Sequence, residues 1–174
     1  NELGVPLTLL NSPDGVEVVV VEMGARDVGH IAALCAIAAP TIGVVTMVAA
    51  VHTEVFGTID DVAHAKAELV RALPPTGTAV LNADDARVAA MRSATQAAVI
   101  TFGDAGDVRA TDVALDDELR SRFRLHSPWG SADVSLAVRG AHQVANALAA
   151  SAAALVAGAS LHEVVDGLAA AELS

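Results

Sequence analysis

Apolar residues in the first hundred positions change period several times. Val16–Met23 reads Val-Glu-Val-Val-Val-Val-Glu-Met, apolar enough for a strand covered on both faces, as in a parallel sheet. Asp27 or Gly29 can open a helix carrying Ile31, Leu34, Cys35 and Ala38, which Pro40 stops. Ile42–Thr46 predicts a second strand. A loop, Val51–Gly57, then leads into a helix over Ile59–Leu73, with Ile59, Val62, Ala63, Leu69, Val70 and Leu73 in phase. Pro74-Pro75-Thr76-Gly77 breaks it. Thr78–Asn82 predicts a third strand, Asp84 or Asp85 caps a short helix to Arg92, and Ala98–Phe102 predicts a fourth strand. Strands alternating with helices at this spacing imply an α/β fold, a mostly parallel sheet flanked by helices with right-handed crossovers.

The pattern then shortens. Val108–Leu115, Leu119–His126 and Ala132–Val138 read as strands separated by Asp-Asp and Ser-Pro-Trp-Gly turns, a small antiparallel sheet at the edge. Gly140 ends it. Gln143–Ala157 is an alanine-rich helix with Gly158 just past its end, and Leu161–Ala171 is a second helix with Leu161, Val164, Val165 and Leu168 on one face. No internal repeat is visible.

Composition narrows the core and the partners. With 174 residues, one Trp, three Phe and no Tyr, a single domain must pack on Ala, Val and Leu. The net charge of −11 argues against nucleic acid, whose phosphates need a basic surface. No apolar stretch reaches the roughly 18–20 residues of a membrane span, and no signal peptide is visible. The single cysteine, Cys35, excludes an internal disulfide, suits a reducing cytosol and falls among core positions. The chain opens Asn-Glu-Leu-Gly-Val-Pro and closes Ala-Ala-Glu-Leu-Ser, and is expected to be a fragment of a longer protein.

Four residues carry candidate chemistry. Glu22 and His52 follow apolar runs, at the carboxyl ends of strands where open α/β sheets bind ligands. A carboxylate and an imidazole can hold Mg²⁺ or Mn²⁺, with phosphate oxygens and water completing the shell. Equally, Glu22 can cap a turn and His52 can be an ordinary loop histidine. Lys66 lies on the apolar stripe of its helix, a costly place for an ammonium. Buried, its pKa would fall and the neutral amine could add CO₂ to become a carbamate; otherwise the charge snorkels to solvent. Asn146, in the alanine-rich helix, could read a base edge or simply face solvent. His64 is placed with Asp60, Asp61 and Glu68 on the polar side of its helix. Gly24 and Gly57 flank the strand-end groups, where a ligand could approach the backbone. No G-x-x-x-x-G-K-[ST] phosphate loop occurs anywhere in the chain.

Five runs in order carry a resemblance: Val21–Arg26 (Val-Glu-Met-Gly-Ala-Arg), His52–Gly57 (His-Thr-Glu-Val-Phe-Gly), Ala65–Leu69 (Ala-Lys-Ala-Glu-Leu), Val80–Asp85 (Val-Leu-Asn-Ala-Asp-Asp) and Gly140–Ala150. Together they resemble the central, ATP-binding domain of the Mur ligases, over nearly the whole chain. The opening Asn-Glu-Leu-Gly-Val-Pro-Leu-Thr-Leu-Leu is most similar to the branch that adds D-alanyl-D-alanine to a UDP-N-acetylmuramoyl-tripeptide. The resemblance implies a P-loop-NTPase-like fold and an ATP-dependent amide-bond ligase acting through an acyl phosphate in the bacterial cytoplasm, for peptidoglycan precursor synthesis. It implies Mg²⁺ or Mn²⁺ held by Glu22, His52 and a carbamoylated Lys66, with Lys66 and His52 serving catalysis and Asn146 beside the adenine of ATP. It further implies a monomer in which the phosphate loop, the UDP-substrate domain and the C-terminal domain lie outside residues 1–174, so that this piece alone would be inactive. Two positions depart from the family pattern: Met47 stands where Asn is usual, and Gln143 follows His142 where Asn is usual. The near alternatives are a MurE-like or folylpolyglutamate synthase-like ligase, or a non-catalytic α/β module.

Overall fold

The computed structural model describes residues 1–24, 27–49 and 58–172. Three parallel strands, β1 (Ile42–Val45), β2 (Thr78–Asn82) and β3 (Ala98–Phe102), pair in that order, with Val44 opposite Val80 and Val80 opposite Ile100. As the middle strand, β2 buries both faces, and the two-residue period of its side chains splits them between two cores. Ala79 and Leu81 join Val62, Val70 and Leu73 of the following-crossover helix α3 (Ile59–Ala72) and its C-terminal turn, together with Val88 and Met91. Val80 joins Phe102, Leu148, Ala152 and Leu155 on the other face. Half of the helix there, α5 (Gln143–Val156), is alanine, and it packs on the sheet through these small side chains and Leu148 and Leu155; its buried Ser151 donates to the Ala147 carbonyl at 2.7 Å.

The predicted antiparallel unit forms as a sheet of its own: β4 (Arg109–Leu115), β5 (Arg120–Ser127) and β6 (Gly130–Arg139). One bridge, Phe102 to Val108, joins the end of β3 to its start. Phe123, Leu125, Val134 and Leu136 point inward to the core under α5 and α6 (Leu161–Ala170). The opposite face carries Arg122 and Arg124, the latter paired with Asp133 at 2.8 Å.

Helix boundaries follow local chemistry. Thr58 and Asp61 form a reciprocal capping box at the start of α3, and Ser160 and Glu163 form another at α6. Asp85 caps α4 (Ala86–Ala90), which tightens into a 3₁₀ turn over Met91–Ala94. Gly158, at φ +103, ends α5 as expected.

Two expectations are corrected, and one helix was not anticipated. Val16–Met23 is not a strand; residues 16–24 take no regular form, and Val18 and Val20 are 56% and 88% exposed. A strand exists only against a neighbour that takes its hydrogen bonds, and no described strand pairs with this run. A helix missed in sequence, α1 (Gly4–Leu10), precedes it, with Asn1 accepting the Leu3 and Gly4 amides. Finally, Glu68 is not on a polar face. It is 8% exposed, and its carboxylate accepts the amides of Gly29 and Ala32 at the start of α2 (His30–Ala38).

Candidate functional site

The carboxyl ends of the three parallel strands are laced together by side chains of the Asn82-Ala-Asp-Asp85 run. Asn82, the last residue of β2, donates its amide to the Thr46 carbonyl at 2.8 Å, just past β1. Its own carbonyl oxygen accepts the Asp84 amide at 2.9 Å. The Asp84 carboxylate in turn accepts the Asp104 amide at 3.0 Å with both oxygens, after β3. Short polar side chains at strand ends thus replace the ladder where the sheet stops. The run was singled out in sequence as a motif. Its structural job was not, although Asn and Asp at strand ends are the signal for such bonding.

Lys66 is the only lysine in the chain. It is half-buried on α3 and reaches the same edge, where its amine donates to the Met47 carbonyl at 2.7 Å. Burial pushes this amine below the usual lysine range, and the nearby Asp85 carboxylate opposes the shift without cancelling it. Desolvation lowers the cost of the neutral amine, which is the form that reacts with CO₂. An ammonium has no lone pair for a cation, so Lys66 fits a metal site only as a carbamate. A carbamate would keep one N–H and so could keep its bond to the Met47 carbonyl. Because that bond uses the backbone, the departure from Asn to Met at position 47 leaves it intact; the Met47 side chain is exposed.

Asp85 completes the edge. Its carboxylate accepts the Val48 amide at 2.7 Å, besides the Arg87 and Val88 amides of its cap. Partial burial alone would raise this carboxyl; the three amides and the Arg87 charge outweigh it and hold the group below the usual range.

Glu22 lies in an exposed position and makes no hydrogen bond or ion pair with another described residue. No hydrogen bond links it to Lys66. His52, with Gly57, falls outside the described residues. Among the described residues no group of three or more His, Cys, Asp or Glu side chains is arranged to hold a metal ion. Asn146 is exposed on the first turn of α5, and its amide donates to the Gln143 side-chain oxygen at 2.9 Å. The two positions noted in the adenine motif therefore touch each other, and Gln143 leaves the Asn146 oxygen available as an acceptor. No helix among the described residues is long and apolar enough to cross a membrane.

Comparison with known proteins agrees with this layout. The family described as the Mur ligase middle domain matches residues 1–154. The chain is 47% identical over 173 residues to the UDP-N-acetylmuramoyl-tripeptide–D-alanyl-D-alanine ligase of Mycobacterium tuberculosis, covering 98% of this chain and 34% of that protein. It is 35% identical to the ligase of that name from Escherichia coli, covering 97% of this chain and 38% of the relative. Among solved structures, MurF from Acinetobacter baumannii superposes over the full chain with a TM-score of 0.94 at 36% identity, covering 38% of that protein. MurF ligase from Thermotoga maritima, in complex with ADP, gives 0.82 at 27% identity, covering 99% of this chain and 40% of that one. The chain thus spans a little over a third of the length of these relatives. With its parallel sheet, its second antiparallel sheet and its sequence motifs in register, the chain belongs to the Mur ligase middle-domain family.

Proposed function

We propose that this chain is the central, nucleotide-handling domain of an ATP-dependent amide-bond ligase that joins D-alanyl-D-alanine to a UDP-N-acetylmuramoyl-tripeptide. In this reading residues 1–174 hold part of the ATP site, and the phosphate loop, the UDP-substrate pocket and the closing domain belong to the remaining length of the relatives. The enzyme acts in the cytoplasm as a monomer. The observation that carries the proposal is Lys66: the one lysine, half-buried, with its amine fixed at the carboxyl edge of the sheet.

Bound ATP supplies the phosphoryl group that activates the substrate carboxylate, and bound Mg²⁺ supplies counter-charge for it. Glu22, His52 and a carbamoylated Lys66 would hold the cation, hard oxygen and imidazole donors suited to Mg²⁺ or Mn²⁺. Asn146, oriented by Gln143, would accept from an adenine amino group. The chain's part is then chiefly electrostatic: fixed donors where charge develops, set in place before the reaction.

The test is Lys66→Ala in the ligase that carries this chain. Ligation should be abolished, and short carboxylates added to the buffer should restore part of it. A ¹³C-bicarbonate NMR spectrum of the parent enzyme should contain a carbamate signal that Lys66→Arg removes. Unchanged ligation by the alanine variant would take Lys66 out of the mechanism.

A further inference from the structure

Three consecutive residues after β1 are each held by a side chain from a different element. Asn82 of β2 takes the Thr46 carbonyl, Lys66 of α3 takes the Met47 carbonyl, and Asp85 before α4 takes the Val48 amide. The Asp85 carboxylate is bound on both oxygens. One accepts the Arg87 and Val88 amides at 2.9 and 3.1 Å, which any N-cap does. The other reaches 37 residues back to Val48 at 2.7 Å, which capping does not require. Val48 itself is buried in the core beneath α3, so the bond acts on a segment anchored on both sides.

We infer that Asp85 is a positioning residue for Lys66. By fixing the Val48 amide it sets the Met47 carbonyl next to it, and that carbonyl holds the lysine amine. The inference concerns where the amine sits; its consequence for turnover rests on the reading of Lys66 given above.

Asp85→Ser separates the two jobs. A serine caps a helix as well as an aspartate does, but its side chain is shorter and has a single oxygen, so it cannot also reach Val48. The measurement is reductive methylation of Lys66 in the ligase that carries this chain, followed by peptide mass spectrometry, with the ligase's own N-terminal α-amine as reference. Because the Asp85 charge also favours the protonated amine, the rate compared is the limiting one of the neutral amine, taken from the pH dependence of methylation. It should be about fivefold faster in Asp85→Ser, the effect of losing one ordering hydrogen bond, at an unchanged reference rate. The substitution should also lower kcat about tenfold or more with KM for ATP within about twofold, because misplacement of a catalytic group acts on the chemical step. A limiting Lys66 methylation rate equal to wild type in a folded Asp85→Ser protein would overturn the inference and leave Asp85 a helix cap. Faster methylation with unchanged kcat would uphold the positioning and count against the function assigned to Lys66. If Asp85→Ser does not fold, Asp85→Asn is measured the same way, since it keeps the size and one acceptor while setting an N–H donor against an amide.

Discussion

Glu68 and Gly29 are 39 residues apart in sequence, yet the Glu68 carboxylate accepts the Gly29 amide at 2.5 Å and, with its other oxygen, the Ala32 amide at 3.0 Å. Gly29 has no side chain with which to cap α2, and the buried carboxylate does that work from the neighbouring helix. A negative charge there also complements the positive end of the α2 dipole. Glu68→Ala should therefore destabilise the fold by about 1–3 kcal/mol, the cost of leaving buried amides unpaired. Chemical denaturation of the two proteins measures this. A difference below about 0.5 kcal/mol would mean that water caps α2 equally well.

Glu22→Ala should lower Mg²⁺-dependent turnover of the ligase at least ~100-fold, about 2.7 kcal/mol of barrier. Its exposed position and lack of described partners mean that the fold should not suffer. Steady-state kinetics beside a thermal melt would separate the two effects. Turnover within a few-fold of wild type would make Glu22 an ordinary surface carboxylate.

Gly103→Ala should be costly. Gly103 has φ +120, and a methyl group there would come within 2.4 Å of the Asp84 carboxylate that holds the Asp104 amide. The backbone strain alone is worth roughly 1–3 kcal/mol. In an Asp84→Ala background the steric part disappears and the backbone part remains, so the added loss from Gly103→Ala should shrink. Equal losses in both backgrounds would rule out the clash.

Asp107 gives a pH signature. The Thr101 hydroxyl and amide donate to its carboxylate at 2.7 and 2.8 Å, hold it below its ordinary value, and outweigh partial burial. Because the folded pKa is the lower one, the folded state favours the ionised form. The stabilisation is complete above the unfolded carboxylate pKa of about 3.9 and fades as pH falls through the folded value. Asp107→Asn should thus be less stable than wild type at neutral pH, with the gap closing toward pH ~2. Urea unfolding at several pH values tests this, and a gap independent of pH would exclude the carboxylate as its source.

Much of the fold was legible because its elements carry local signatures. β2 and β3 match the sequence reading to the residue, and β1 to within one, since apolar runs between Pro-Gly breaks leave few other choices. Lys66 was legible too, because a cation on an apolar stripe is conspicuous and did prove half-buried. Glu68 was not: helical periodicity says which residues share a face, but not which face meets an uncapped helix elsewhere. Val16–Met23 was misread for the converse reason. Its composition suits a strand, but strandness belongs to a pair of segments, and composition names only one of them. The clamp on Thr46–Val48 was hidden in the same way, since Asn82 and Asp85 find their partners across 36 and 37 residues.

The uncovered valines ahead of Gly24 have a practical consequence. The β-prone run Val18–Val21, uncharged between Glu17 and Glu22 and paired with no strand among the described residues, is a template for a ladder in another chain. Prepared alone at high concentration, this polypeptide should aggregate by intermolecular pairing through that stretch. Static light scattering that grows with concentration, and that charged replacements at Val18 and Val20 suppress, would register it.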